Sequence, residues 1–332
     1  MGDRLNVTKP QLTEVQLSQI DFDDESYIVA FKPDLGQLAA SIKNVGVLYP
    51  LILEKKTPLC YRIVCGYKRL LVLKQLMTES AAALCFESEN FQPSLSLFQI
   101  ALFENIGSRQ LNLVEKAHVV HKLKYLFEVP DEKIAAHFLP FLELGHNPTV
   151  IERLLKISVL EDYLKQSIID DFVTAETAFS LSELEKHVAK QVFDLFVSLK
   201  IGKNNQREFL QFFRDISKAS SITISNIMEK PEIQAILRDE KLTAPVKINR
   251  LKDQLKKLRY PRFSVVEEKF DQFKKSLKLP PSLMLRPPAF FEGEKFSFEL
   301  NFKNQAEFKK LVRQLNQFAE ENRMKELEKL ME

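Results

Sequence analysis

The sequence predicts an α+β chain, with a small sheet domain first, a long helical middle and a short strand-strand-helix module last. Three observations carry that expectation. Leu51–Leu53 and Tyr61–Val64 are short apolar runs bounded by Pro50 and Gly66, which is the pattern of buried strands. Apolar residues then recur at helical steps, from Leu95, Leu97, Phe98, Ala101 and Leu102 to Phe209, Phe212, Phe213 and Ile216. Near the end, Lys295–Phe302 alternates apolar and polar residues, the period of a half-buried strand, before a long amphipathic helix.

At 332 residues the chain suits two or three domains, and its 45% apolar and 28% charged residues are those of an ordinary soluble protein. No apolar run approaches the ~20 residues needed to cross a bilayer, so no membrane partner is expected. Cys60, Cys65 and Cys85 are odd in number and lack metal-ligand spacing, which points to a reduced cytoplasm. No Gly-rich Walker loop, Ser-His-Asp ordering or zinc-type cysteine pair is present. Charge is unevenly spread. Residues 1–240 carry 27 Lys and Arg against 32 Asp and Glu, whereas residues 241–332 carry 21 against 13. A polyanion partner is therefore favoured at the C-terminal end.

Along the first part, Met1–Ser18 reads as a loose polar leader, followed by a strand and turn over Ile20–Asp24 and Tyr27–Phe31 and a helix over Asp34–Asn44. The turn Gly46-Val-Leu-Tyr49-Pro50 leads into the two strands, and the second strand ends at Gly66. Glycine there lets the backbone approach a ligand, and the first amides of a helix starting at Tyr67 can hold an anion beside Lys68 and Arg69. Ala81–Phe86 reads as a strand. The helix after Ser94 delivers Glu104 and Asn105, oxygen donors of the kind that hold magnesium on phosphates.

These pieces resemble the nucleotide-binding domain of ParB-like chromosome and plasmid partition proteins, a ParB/sulfiredoxin-type fold. Gly66–Arg69 matches the family's Gly-Glu-Arg-Arg box, with Tyr67 for the acid and Lys68 for the first arginine. Glu104-Asn105 matches outright, Arg109, Leu111, Asn112, Glu115 and Ala117 continue the pattern, and Gly46 with Pro50 matches the upstream turn, Tyr49 replacing a common glutamine. The resemblance implies CTP held by Gly46, Gly66, Tyr67, Lys68, Arg69, Asn105 and Arg109, and Mg2+ held by Glu104 and Asn105. The altered box leaves open whether the protein is also a weak CTP hydrolase. Sulfiredoxin itself carries its cysteine after the glycines, so Cys65 reads as a buried strand residue. A ParA-type ATPase partner finds no support in the leader, where only Arg4 and Lys9 are basic.

In the middle, Asn112 is an N-cap for a helix over Leu113–Phe127, with Glu115 in its first turn. Helices over Glu132–Phe138 and Val150–Leu155 flank the breaker Gly145-His-Asn-Pro148, and Leu160–Leu164 and Ile168–Ser180 continue in helix. That is a helix-turn-helix layout. The order is similar to the ParB DNA-binding core, with a long turn at Leu139–Asn147 and Glu176 where relatives carry histidine. DNA contact is expected from Thr149, Arg153 and Lys156. His118 and His121, three apart on one helix, read as packing residues for want of a third ligand.

Lys241–Arg262 is the most basic segment, and Lys252, Lys256, Lys257 and Arg259 are its candidate phosphate contacts, against the alternative of a solvated helix face. After it, a proline-rich stretch, the short apolar runs Leu283–Leu285 and Phe290–Phe291, a turn at Gly293 and a helix capped by Asn304 resemble the C-terminal dimer module of partition proteins; docking within one chain is the alternative. The expected division is 1–110 nucleotide-binding, 111–240 DNA-binding, 241–280 basic helical linker and 281–332 ββα dimerisation module. The function implied is that of a CTP- and magnesium-responsive, nucleoid-associated homodimer. A transcription regulator or adaptor with a decayed nucleotide site, or a small-molecule phosphotransferase or hydrolase on the same fold, are the alternatives.

Overall fold

The structure, a computed structural model, describes residues 9–88, 91–288 and 295–320. It divides into two compact units, Met1–Glu183 and Leu184–Glu332.

The first unit is built on a five-stranded mixed sheet of β1 (Gln11–Gln16), β2 (Ile20–Asp21), β3 (Leu51–Thr57), β4 (Cys60–Cys65) and β5 (Ser80–Phe86), in the order β1-β5-β3-β4-β2. β3 is central, parallel to β5 and antiparallel to β4, which fits the full burial of Leu51 and Leu53. Helices α1 (Gly36–Val45) and α2 (Tyr67–Gln75) cover the sheet with Ile42, Leu70, Val72 and Leu73. The sheet therefore has the apolar interior read from the strand runs.

Two local readings change. The leader is not loose throughout: residues 11–16 form β1 and pair with β5 along their length. Only Val15 of that strand is buried, so backbone pairing, not an apolar pattern, holds it. Arg4 and the rest of residues 1–8 lie outside the described residues. Residues 27–31 are a turn followed by irregular backbone, with Tyr27, Ile28 and Val29 buried.

Helix α3 (Leu95–Ser108) leads from the sheet to α4 (Leu113–Tyr125). Asn112 and Glu115 form a full capping box at the start of α4, and its buried side includes Val114, Ala117, Val120 and Leu123. A short helix α5 (Asp131–Lys133) runs into a π turn over Ile134–Phe138; α6 (Thr149–Ser158), α7 (Asp162–Ile169) and α8 (Ala175–Ser182) follow. The single helix expected over 168–180 is broken because Asp171 takes a left-handed backbone (φ +54°) and Thr174 caps α8. Because α4 also clamps residues 25–31 of the sheet half, the boundary expected at 110 falls inside one compact unit.

The second unit contains α9 (Lys186–Ser198), α10 (Lys203–Ser220), α11 (Ile224–Met228), α12 (Pro231–Arg238), α13 (Ala244–Arg259) and α14 (Pro261–Ser276), then the antiparallel pair β6 (Leu283–Arg286) and β7 (Ser297–Leu300), and α15 (Gln305–Glu320). Phe196, Phe209 and Phe213 form its aromatic interior.

The basic segment is a packed element and not a linker. α13 buries Ile248, Leu251 and Leu255, and it packs against α10, α12 and α14. The β6–β7 pair also docks within the chain, since Leu285 joins Phe270 and Phe273 of α14 in one cluster. Asn304 caps α15 by accepting from the Glu307 amide at 2.9 Å. The apolar run at Phe290–Phe291 and the turn expected at Gly293 lie outside the described residues. Among the described residues, no helix is long and apolar enough to cross a membrane.

Candidate functional site

β4 ends, and α2 begins, at Gly66, whose backbone is left-handed (φ +93°). The left-handed conformation favours glycine, and a Cβ placed there would also press on the Arg69 guanidinium at 2.9 Å and Leu51 Cδ2 at 3.0 Å. The chain then turns straight into helix, so the first amides of α2 lack partners within it and point along its axis toward whatever lies ahead.

What lies ahead is a cavity of about 600 Å3. Gly66, Tyr67, Lys68 and Arg69 line one side, and Glu104, Asn105, Ser108 and Arg109 of α3 line another. Residues 27–30 and the Tyr49-Pro50 turn complete the wall. The two motifs, more than thirty positions apart, thus share one site. Arg69 ties the pieces together. Its guanidinium donates to the carbonyls of Tyr49 (2.8 Å) and Pro50 (3.2 Å), and NH2 lies 3.9 Å from Glu104 Oε1. Gly46 does not line the cavity; it ends α1 with φ +76° and so turns the chain toward Tyr49 and Pro50.

Three cationic side chains, Lys68, Arg69 and Arg109, share the lining with one carboxylate, Glu104, so the cavity favours an anion. Tyr67 is half-buried and packs on the sheet core, and burial raises its hydroxyl above the usual phenol range. Burial, with a smaller push from the Glu104 charge, lifts the Cys65 thiol to about 12. It stays protonated at neutral pH and is no nucleophile.

Asn105 is fixed at both ends. Its Nδ2 donates to the Ala101 carbonyl at 2.8 Å, and its Oδ1 accepts from Arg109 NH2 at 3.2 Å. Among the described residues there is no group of three or more His, Cys, Asp or Glu able to hold a metal ion. The donors present, one carboxylate and one amide oxygen, fit a magnesium ion that keeps waters and phosphate oxygens for its other positions.

The wall over residues 27–30 carries no motif and was not legible as part of a site. Tyr27 is anchored from behind. Its hydroxyl donates to Glu54 Oε2 (2.7 Å) and accepts from the Ser94 amide (2.6 Å), and Arg62 Nε lies 3.3 Å from the same carboxylate oxygen. His118 meets the Phe31 ring edge-on, and burial depresses its imidazole to about 4. Here, as expected, His118 is a packing residue.

The residues expected to meet DNA are not part of the cavity lining. Thr149, Arg153 and Lys156 are exposed on one face of α6, while Ile151, Leu154 and Ile157 are buried. Arg153 NH2 pairs with Glu176 Oε1 at 2.6 Å, with both side chains mostly exposed. On α13 the basic residues have acidic neighbours. Lys252 Nζ meets Glu208 Oε2 at 2.5 Å, Lys256 Nζ meets Glu267 Oε1 at 3.3 Å, and Arg259 NH2 meets Asp215 Oδ2 at 2.5 Å.

Residues 2–106 match the ParB N-terminal domain family. The chain is 22% identical over 199 residues to the nucleoid occlusion protein of Bacillus cytotoxicus, covering 58% of this chain and 65%, just under two thirds, of that relative. It is 26% identical over 222 residues to the probable chromosome-partitioning protein ParB of Vibrio cholerae, covering 65% of this chain and 70% of the relative. A C-terminally truncated chromosome-partitioning protein ParB from Caulobacter crescentus, solved with CTP-gamma-S, overlays at a TM-score of 0.26 with 22% identity, over 55% of this chain and 98% of that one. Motif order, sheet domain and family match agree over residues 2–106, which carry a ParB N-terminal domain.

Proposed function

We propose that this chain is a CTP-responsive, DNA-binding partition protein that works as a dimer. The observation that carries the reading is the convergence of Gly66–Arg69 with Glu104, Asn105 and Arg109 on one cavity of about 600 Å3. The volume lies in the range of small-molecule and cofactor sites, and the wall offers one anion-seeking helix end with three cations.

In this reading the amides at the start of α2, with Lys68 and Arg69, bind the phosphates, and Arg109 closes on them from α3. Glu104 and the Oδ1 of Asn105 hold magnesium, which when bound offsets phosphate charge. Gly66 gives the backbone its close approach, and Gly46 sets the turn that holds Arg69. Tyr67 frames the pocket from the core side. CTP as the nucleotide rests on the relative solved with its analogue. DNA is met by Thr149, Arg153 and Lys156 on the exposed face of α6. Lys252, Lys256 and Arg259 serve chiefly to pin α13 to its neighbours. Two copies pair through the β6, β7 and α15 module, where Phe302 and Phe308 remain exposed.

Isothermal titration of the full chain with CTP, ATP, GTP and UTP in millimolar magnesium tests the nucleotide half. Micromolar binding of CTP, lost in Glu104→Ala, is expected, and no binding of any triphosphate at millimolar levels ends the claim. Turnover of nucleotide without DNA would favour the enzyme alternative. A second reading, a decayed nucleotide site, draws on Arg69 being already engaged by two carbonyls. DNA binding indifferent to every nucleotide would select it.

A further inference from the structure

Glu115 lies outside the cavity, yet its carboxylate is the junction on which the cavity depends. It is buried (3% exposed), and three donors from three places converge on it. Arg109 NH1 reaches Oε2 at 2.6 Å, the Asn112 amide reaches the same oxygen at 3.1 Å, and the Phe31 amide reaches Oε1 at 3.3 Å. Arg109 is a cavity wall residue and in turn donates to Asn105 Oδ1. Phe31 follows the wall segment 27–30 directly.

The same helix holds that segment a second time, because Lys122 Nζ donates to the carbonyls of Glu25 and, at 2.6 Å, Ile28. A capping box alone would need only the Asn112 contact. The two extra bonds run to Arg109, in the pocket wall, and to Phe31, next to the wall segment 27–30, and Arg109 bridges a charged partner and an amide in a fixed fork.

We propose that Glu115 is a positioning residue for ligand binding: through Arg109 it orients Asn105, and through the Phe31 amide it holds the facing wall, so nucleotide and magnesium affinity depends on a carboxylate that touches neither. The proposal rests on the reading of the cavity as a magnesium-nucleotide site. It goes further in joining that site to the first helix of the DNA-binding half, since Glu115 also starts α4.

Glu115→Gln isolates the role. Glutamine keeps the length and satisfies a capping box, but it offers one acceptor oxygen where the carboxylate offers two, so either Arg109 or Phe31 loses its hold. Titration of full-length wild type and E115Q with CTP across a magnesium series is expected to show affinity about tenfold weaker in E115Q, with the magnesium midpoint raised, while circular dichroism stays native. In an Arg109→Ala background the same change should weaken affinity by clearly less than it does in wild type, because the path through Arg109 is already cut and only the hold on Phe31 is left to lose. Glu115→Asp, which retains the charge but falls short by one methylene, should also raise the magnesium midpoint, and it serves if E115Q does not fold. Wild-type affinity in folded E115Q or E115D, or an undiminished loss in the Arg109→Ala background, overturns the proposal. Absence of binding in wild type defeats instead the nucleotide reading beneath it.

Discussion

The cations of the cavity and those of α13 look alike in the sequence and differ in the fold. Lys68 and Arg69 follow a glycine whose backbone only glycine holds easily, and they end beside a helix start and a pocket. Lys252, Lys256 and Arg259 form a denser cluster, yet each finds a carboxylate from a neighbouring helix. A local backbone signature therefore locates the candidate site, whereas a charge count does not. Charge becomes binding capacity only after its intramolecular partners are subtracted.

The sharpest way to break that contrast is to treat α13 as the linker its composition suggests. Leu255 is fully buried and Leu251 nearly so. Leu255→Ala should then cost ~2–5 kcal/mol, as core leucine truncations do, read from urea unfolding of the full chain. An exposed linker residue would cost under ~0.5 kcal/mol, and that result would return α13 to the linker class.

On the cavity side, Gly66→Ala is the equivalent blow. A side chain there meets Arg69 and Leu51 at about 3 Å, in a backbone region that costs non-glycine residues ~1–3 kcal/mol. Because relief requires Arg69 to leave the Tyr49 and Pro50 carbonyls, triphosphate affinity should fall more than tenfold, measured by titration calorimetry. Unchanged affinity would mean that the glycine serves the fold alone.

These cases show why parts of the chain were legible and others were not. Gly66, the Asn112–Glu115 cap and the apolar strands β3 and β4 are set by residues within a few positions of one another, so pattern suffices. β1 buries only Val15, and its strand character comes from β5, some seventy positions later. The break after α7 turns on one left-handed Asp171, an aspartate that sequence alone does not distinguish from Asp170. The wall at residues 27–30 is held by Glu54, Glu115 and Lys122, whose roles exist only once distant segments meet. The site motif was thus readable and its supporting shell was not. The same limit hid the packing of α4 and α13, whose partners show only in three dimensions.

The finest separation of the two cation sets uses single lysines and salt. Lys156 is exposed on the α6 face with Thr149 and Arg153, whereas Lys252 is largely covered, at 24% side-chain exposure, against Glu208 and Asn205. A lysine that neutralises a phosphate releases a counterion, and removing it lowers the slope of log affinity against log salt by about one. Lys156→Ala should therefore flatten the slope for duplex DNA by ~1 and leave stability within ~0.5 kcal/mol. Lys252→Ala should leave the slope unchanged and cost ~0.2–1 kcal/mol of stability, the scale of a partly solvated pair. Mobility shifts from 50 to 300 mM salt, with urea unfolding of each variant, separate the two. If Lys252→Ala flattens the slope as Lys156→Ala does, the basic helix reaches DNA despite its ion pairs, and the distinction between the two sets of cations is lost.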